Sequence, residues 1–435
     1  MVTDTNLDPQ QRFEALVDPG TSFEIASAAR SQQPAVADRT PRDGVLTAFA
    51  AIAGRAVVVI VEDPNALECT DGEVARLKRH RMLNLALMTR SPLVLVLDGA
   101  RNASARFEDN SGELAGRMSD PRLDIDLRRR RAALVCVMCG PAVGWARDVV
   151  AESDLVIATS NVWQDLSSAA QASIDMLVDD DAAAIAAARA AVELLGTEGR
   201  GEDAQRFAPS AVASAQAAET VPQLMAEPRR VVELLVDDRS FIEFHAAHES
   251  GLVTGVATIG RWPVLLAVTG GTDSAVLTSR DLRRLARLYR VAGRHNVTLV
   301  LVQDCAGYAS DAAEDLGGLA EVLGAIRGCA APTISIVSGR GHTLGTFALG
   351  TKQLGTAFII AWPWAQLSTT DTDSYRPDAL DAVRHQDPWL AAGRGLVDDV
   401  LTPDETAETV LQLVALFGDR WTPGVRSDRP NAANI

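Results

Sequence analysis

Apolar residues along the chain fall into two kinds of run. In the arginine-rich stretches 73–90 and 281–295 they recur at three- and four-residue intervals among charged positions, the period of an amphipathic helix. Elsewhere they are continuous: PLVLVLD (Pro92 to Asp98), ALVCVMCG (Ala133 to Gly140), DLVIAT (Asp154 to Thr159), TLVLVQD (Thr298 to Asp304), PTISIVSG (Pro332 to Gly339) and AFIIAW (Ala357 to Trp362). Short apolar runs without alternation predict strands covered by helices on both faces.

These elements come twice in the same order. RFEALVDPGTSFEI (Arg12 to Ile25) resembles VVELLVDDRSFIEF (Val231 to Phe244) when one inserted residue brings the Ser-Phe runs together. Each predicts a short amphipathic helix before a turn. The stretch Gly44 to Asp63 then resembles Gly251 to Val268, with Gly44/Gly251, Thr47/Thr254, Ala50/Ala257 and Ile52/Ile259 in register. The repeat predicts two tandem α/β domains of one fold. The expected division is a mobile N-terminus over 1–10, a first domain over 11–185, an Ala-, Glu-, Gln- and Pro-containing linker over 186–228, a second domain over 229–422 and a mobile C-terminus over 423–435.

Composition narrows the class. Of 435 residues, 47% are hydrophobic and 23% charged, which excludes a disordered chain. Fifty-seven acidic residues against forty-one basic ones give a net charge of −16, a field that repels nucleic-acid backbones and anionic membrane surfaces. MVTDTNLDPQQ at the start lacks a basic segment followed by an apolar one, and no apolar run reaches about 18 residues. A soluble, cytoplasmic protein is expected. Five cysteines are an odd number and suggest no disulfide framework. Lys78 and Lys352 are the only lysines, so a Schiff-base mechanism has few candidates.

Several polar motifs have plain readings. Cys136-x-x-Cys139 lies in a buried-type strand with no second pair at zinc-ribbon spacing, so a structural role is expected. Arg128 to Arg131 read as a solvated helix face before they read as a phosphate site. Asp98 and Asp304 end matching strands, which predicts a shared structural duty, such as capping the following turn, rather than an acid–base pair. No G-x-S-x-G elbow is present.

Five segments carry a wider resemblance: GEVARLKRHRMLNLALMTRSP (Gly72 to Pro92), DDRSFIEF (Asp237 to Phe244), VQDCAGYASDAAEDLGG (Val302 to Gly318), LGTAFIIAWPWAQL (Leu354 to Leu367) and RGLVDDVLTPDET (Arg394 to Thr406). In this order and spacing the chain resembles the carboxyltransferase (β) subunit of biotin-dependent acyl-CoA carboxylases of the propionyl-CoA and acetyl-CoA type. The resemblance implies two tandem crotonase-like (ClpP/crotonase) domains, assembled as a hexameric ring, a trimer of dimers, with a biotin carboxylase and a biotin carboxyl carrier as partners. It implies transfer of a carboxyl group from carboxybiotin on the carrier to the α-carbon of a coenzyme A thioester, without a metal.

The chemistry so implied must stabilise negative charge on an enolate oxygen and on the biotin ureido oxygen, which fixed backbone amides do well. The family's two Gly-Gly-Ala turns fall on Gly144, Trp145 and Ala146, and on Thr343, Leu344 and Gly345. The Gly144–Trp145 amides are expected to hold the thioester oxygen and the Leu344–Gly345 amides the ureido oxygen. Ala146, Thr343 and His342 would line these sites, and Phe347 would shape the acyl pocket. His342 reads first as a surface-loop histidine and second as a general acid or base. Trp145 and Leu344 depart from the family's glycines, RNASARFE (Arg101 to Glu108) departs from its Gly-Ala-Arg-Ile-Gln-Glu stretch, and STTDTDSYRPDALDAVRHQDPW shortens its arm. Two alternatives follow: a biotin-independent decarboxylase of a malonyl- or methylmalonyl-type CoA ester, or a catalytically silent paralogue that scaffolds a mixed complex.

Overall fold

The computed structural model describes residues 7–30, 41–63, 73–99, 132–142, 145–171, 173–195, 227–246, 251–271, 275–309, 311, 315–342, 348–368 and 387–421. The chain divides into two units, Met1–Gly196 and Thr197–Ile435.

The first unit is a seven-stranded sheet whose spatial order is its sequence order: β1 (Phe23–Glu24), β2 (Val45–Ile52), β3 (Arg55–Glu62), β4 (Leu93–Leu97), β5 (Leu134–Met138), β6 (Leu155–Thr159) and β7 (Met176–Val178). β1, β2 and β3 pair antiparallel, and from β3 onward every pairing is parallel. Every residue of β4, β5 and β6 is buried, as runs without alternation predict. The predicted helix forms as α2 (Glu73–Thr89), which follows α1 (Pro9–Leu16) and sets Met82, Leu83 and Ala86 into a core with Leu95, Cys136 and Val156. Helix α3 (Trp145–Glu152) lies between β5 and β6 in the chain, and α4 (Asp181–Leu195) follows β7.

The second unit repeats this plan. β8 (Ile242–Phe244), β9 (Leu252–Ile259) and β10 (Trp262–Thr269) pair antiparallel, and parallel pairings then link β10 to β12 (Thr298–Tyr308), β13 (Thr333–His342), β14 (Phe358–Ala361) and β16 (Asp399–Val400). Two short strands lie off this path: β11 (Ala275–Leu277) beside β12, and β15 (Gln366–Ser368) beside β13. The arginine-rich helix α5 (Ser279–His295) is closed at its start by a Thr278–Asp281 capping box and at its end by Asn296 in the left-handed region.

The duplication extends to single hydrogen bonds. Asp18 accepts from Ala53 N at 3.2 Å and Gly54 N at 2.8 Å across the β2–β3 turn. Asp237 accepts from Gly260 N at 2.9 Å and Arg261 N at 2.8 Å across the β9–β10 turn. Thr21 Oγ1 and Ser240 Oγ then accept from Ala51 N and Thr258 N. Asp18 to Thr21 and Asp237 to Ser240 have the same spacing, and Phe23 and Ile242 pair with the equivalent residues Phe49 and Val256. The repeat therefore aligns without the inserted residue expected from the Ser-Phe letters.

Two expected boundaries also move. Leu7 to Gln10 are not a free terminus, because Asp8 forms a capping box for α1 and Leu7 N donates to Asp181 Oδ2 at 3.1 Å. Residues 186–195 are not linker, because Ala188, Ala191, Val192 and Leu195 of α4 are buried in the first unit. Residues 1–6, 196–226 and 422–435 lie outside the described residues.

Candidate active site

In the first unit the carboxyl ends of β4 and β5 meet a buried charge cluster. Arg12, on α1, places Nη1 2.5 Å from Asp98 Oδ2 and Nε 2.7 Å from Asp181 Oδ2. Burial works against the Arg12 charge, but Cys139, Asp98 and Asp181 around it raise its pKa. Burial raises the Asp98 pKa, and the opposing pull of Arg12 does not cancel it. Burial also lifts the Cys139 thiol well above the ordinary range, so this thiol stays protonated.

Backbone packing then directs the chain toward α3. Cys139 N and Gly140 N both donate to Leu97 O, at 2.9 and 3.1 Å. A β-carbon on Gly140 would stand 2.2 Å from Asp98 Oδ1 and 2.9 Å from Asp98 Cα, so only glycine fits. Helix α3 starts at Trp145, and the first amides of a helix have no acceptor within it.

In the second unit β12 and β13 run on past their main-path neighbours and pair there with β11 and β15. A row of parallel neighbours, Ala275, Cys305, Gly341 and Leu367, crosses these four strands. Register between β12 and β13 shifts at the entry: Gln303 faces Val337 but Cys305 faces Gly341, so one residue opposes three. The backbone groups displaced from the ladder there bond side chains instead. Gln303 O accepts from Ser338 Oγ at 3.1 Å, Asp304 N donates to Thr269 Oγ1 at 3.0 Å, Arg340 N donates to Asp304 Oδ1 at 2.9 Å, and Ser338 O accepts from Trp364 Nε1 at 2.9 Å. The bend is thus stapled from four directions, and β13 leads the chain to His342.

Asp98 and Asp304 both serve structurally, in different ways: Asp98 pairs with Arg12 and lies against Gly140, whereas Asp304, inside β12 at the register shift, accepts from Arg340 N inside β13. His342 is not a loop residue in its backbone: it ends β13 in register with Ser368. Ala146 is 2% exposed and packs into the core, so its methyl group faces the protein interior. Trp145 is placed as the first residue of α3, while Gly144, Thr343, Leu344, Gly345 and Phe347 lie outside the described residues, as do Arg101 to Glu108 and Arg128 to Arg131. The two cysteines of the C-x-x-C motif have different surroundings: Cys136 Sγ lies 2.9 Å from Ser153 Oγ, and Cys139 faces the Arg12 cluster. Among the described residues no group of three or more His, Cys, Asp or Glu side chains is arranged to hold a metal ion, and no helix is long and apolar enough to cross a membrane.

Arg12, Asp181 and Gln303 are absent from the sequence reading of the site. Gln303 did leave a signal, an amide inside a continuous apolar run. Arg12 and Asp181 left none, because the contacts that bring them to Asp98 span 86 residues or more of chain.

Comparison with known proteins agrees with this architecture. The family model described as the carboxyl transferase domain matches residues 6–163 and 170–373. The methylmalonyl-CoA carboxyltransferase 12S subunit of Propionibacterium freudenreichii subsp. shermanii is 23% identical over 469 residues, covering 94% of this chain and 88% of that protein. The propionyl-CoA carboxylase beta chain of Saccharopolyspora erythraea is 22% identical over 493 residues, covering 94% and 87%. Among solved structures, the transcarboxylase 12S hexamer with methylmalonyl-coenzyme A and methylmalonic acid bound superposes with a TM-score of 0.79 at 20% identity, over 99% of this chain and 92% of that one. The fold is therefore crotonase-like, in two tandem domains.

Proposed function

The chain belongs to the carboxyl transferase domain family, an acyl-CoA carboxyltransferase by that membership, and on this premise we propose that it moves a carboxyl group from carboxybiotin to the α-carbon of an acyl-CoA. In the proposed step the C–N bond between the carboxyl group and the ureido nitrogen breaks, the ureido group so freed takes the α-proton of the acyl-CoA, and the resulting enolate carbon forms a C–C bond to the carboxyl carbon. The Gly144–Trp145 amides hold the thioester oxygen and the Leu344–Gly345 amides hold the ureido oxygen. The observation that carries this reading is the start of α3 at Trp145, five residues in sequence after the close Gly140–Asp98 packing: an amide at a helix start is a fixed donor whatever its side chain. Biotin arrives on a separate carrier protein, a biotin carboxylase recharges it, and six copies of this chain form the ring.

Reconstitution with a biotin carboxylase and a carrier protein, supplied with bicarbonate, ATP and a panel of acyl-CoAs, is expected to yield a carboxylated thioester. No product from any acyl-CoA in a complex whose carrier is demonstrably carboxylated sinks the reading. Trp145 and Leu344, bulky where the family has glycine, favour one competing outcome: co-purification with an active paralogue and no activity alone, as a silent ring member. CO₂ release from malonyl-CoA or methylmalonyl-CoA by the purified protein alone identifies the decarboxylase instead.

A further inference from the structure

Gln303 sits at the last regular position of β12 before the bend and is wholly buried, where an amide is costly unless it is bonded. Its Nε2 lies 2.5 Å from Ser335 Oγ, 3.0 Å from Leu349 O and 3.2 Å from Gly350 O. Ser335 Oγ donates in turn to Leu349 O at 3.0 Å, and Tyr289 OH donates to Ala348 O at 3.1 Å. Side chains from α5, β12 and β13 thus hold three successive carbonyls. Gly350, at φ 107°, lies so close to β13 that a β-carbon would stand 3.2 Å from Ser335 Cβ and 2.9 Å from Thr356 Oγ1. The other end of the amide, Oε1, has no donor among the described residues and lies beside Gly341. The donor end is therefore what the site uses.

We propose that Gln303 is a positioning residue for residues 348–350, its amide hydrogens fixing the Leu349 and Gly350 carbonyls. A peptide unit is planar, so fixing the carbonyls of 348 to 350 also fixes the amide directions of 349 to 351. The catalytic part of this inference rests on the proposed role of the Leu344–Gly345 amides, which precede residues 348–350 in the sequence. The structural part does not.

Two variants of nearly equal volume separate polarity from packing. Gln303→Leu removes the donors at every pH. Gln303→Glu presents a single hydrogen when protonated and only acceptors when ionised, facing two carbonyl oxygens. Backbone hydrogen exchange at Leu349, Gly350 and Thr351 is expected to speed by about tenfold in Gln303→Leu. In the reconstituted carboxylase, kcat is expected to fall about 10- to 100-fold with the KM for acyl-CoA unchanged. Gln303→Glu is expected to recover protection and kcat as the pH is lowered, a limb that the wild type and Gln303→Leu lack. Unchanged exchange at 349 to 351 in Gln303→Leu overturns the inference whatever the activity. Faster exchange with an unchanged kcat overturns its catalytic part. Faster exchange in an assay where the wild type transfers nothing supports the positioning and counts against the proposed function alone.

Discussion

At the scale of single residues, Gly140 is held by the least forgiving geometry. The atoms a new methyl group would strike are the Asp98 carboxylate, which Arg12 pins, and the Asp98 α-carbon, which belongs to the end of β4. Neither can retreat without breaking the ion pair or moving the strand. Gly140→Ala is therefore expected to cost about 3 kcal/mol, the upper end for overpacking, measured by urea unfolding, and to abolish carboxyl transfer. A loss under about 0.5 kcal/mol, the scale of a neutral surface change, would show that the loop can slide off Asp98. Sequence reading placed Gly140 at the end of a strand but gave no reason for glycine there, because the reason is a contact with a residue 42 positions earlier.

At the scale of elements, the two hairpin turns and the β12–β13 bend differ in how far letters reveal them. Both turns place two consecutive residues at positive φ, Ala53 (50°) with Gly54 (75°) and Gly260 (57°) with Arg261 (68°), as the tightest hairpins require. Alanine is a poor occupant of that region, so Ala53→Asn, giving the favoured Asn-Gly pair, is expected to stabilise the protein by about 0.5–1 kcal/mol, seen as a higher midpoint in urea. No gain, or a loss, would mean that Asp18 already offsets the strain. The repeat of apolar spacing around these turns was legible in the sequence, whereas its exact alignment was not, since Asp18 and Asp237 mark the equivalence and the Ser-Phe letters do not. The bend carries no periodic signal at all, because its backbone groups are satisfied by scattered side chains. Asp304→Ala strips the Arg340 amide of its acceptor and is expected to cost about 1–3 kcal/mol. Asp304→Asn keeps an acceptor oxygen in place and is expected to cost less than about 1 kcal/mol, since the further loss among the described residues is one long ion pair, 3.5 Å, from the buried Asp304 to a one-third-exposed Arg340. Equal costs for the two variants would refute the staple.

At the scale of the whole molecule, stability against pH sums buried groups that pull in opposite directions. Lys78 is buried with Nζ donating to Arg42 O, at 2.9 Å, and to Val45 O, and burial lowers its pKa from 10.5 to about 8. The unfolded chain therefore holds this proton more tightly than the folded one, and the Lys78 contribution to stability rises with pH from about 8 up to 10.5. A neutral amine still has two hydrogens for its two carbonyls, so the contacts survive deprotonation. Cysteines act in the reverse sense. Burial raises Cys305 from 9.0 to about 11, and lifts Cys139 as well, so their contribution fades as the pH climbs above 9.0. Between about 8 and 9 Lys78 is the group among the described residues whose shift acts, and unfolding free energy is expected to increase by about 1 kcal/mol. Above 9 the curve should flatten or turn down. On the acid side, Asp18, held down first by the Gly54 amide, Asp315, by the Gly318 amide, and Glu405, by the Thr402 amide, give up their stabilising bonds as the pH falls through the ordinary carboxylate range. Urea unfolding at stepped pH checks the scheme against Lys78→Met, which should erase the rise between 8 and 9 while leaving the decline above 9 intact. A rise that persists in Lys78→Met would place its origin in another group, and a flat wild-type profile over that interval would mean that Lys78 keeps an ordinary pKa in the folded protein.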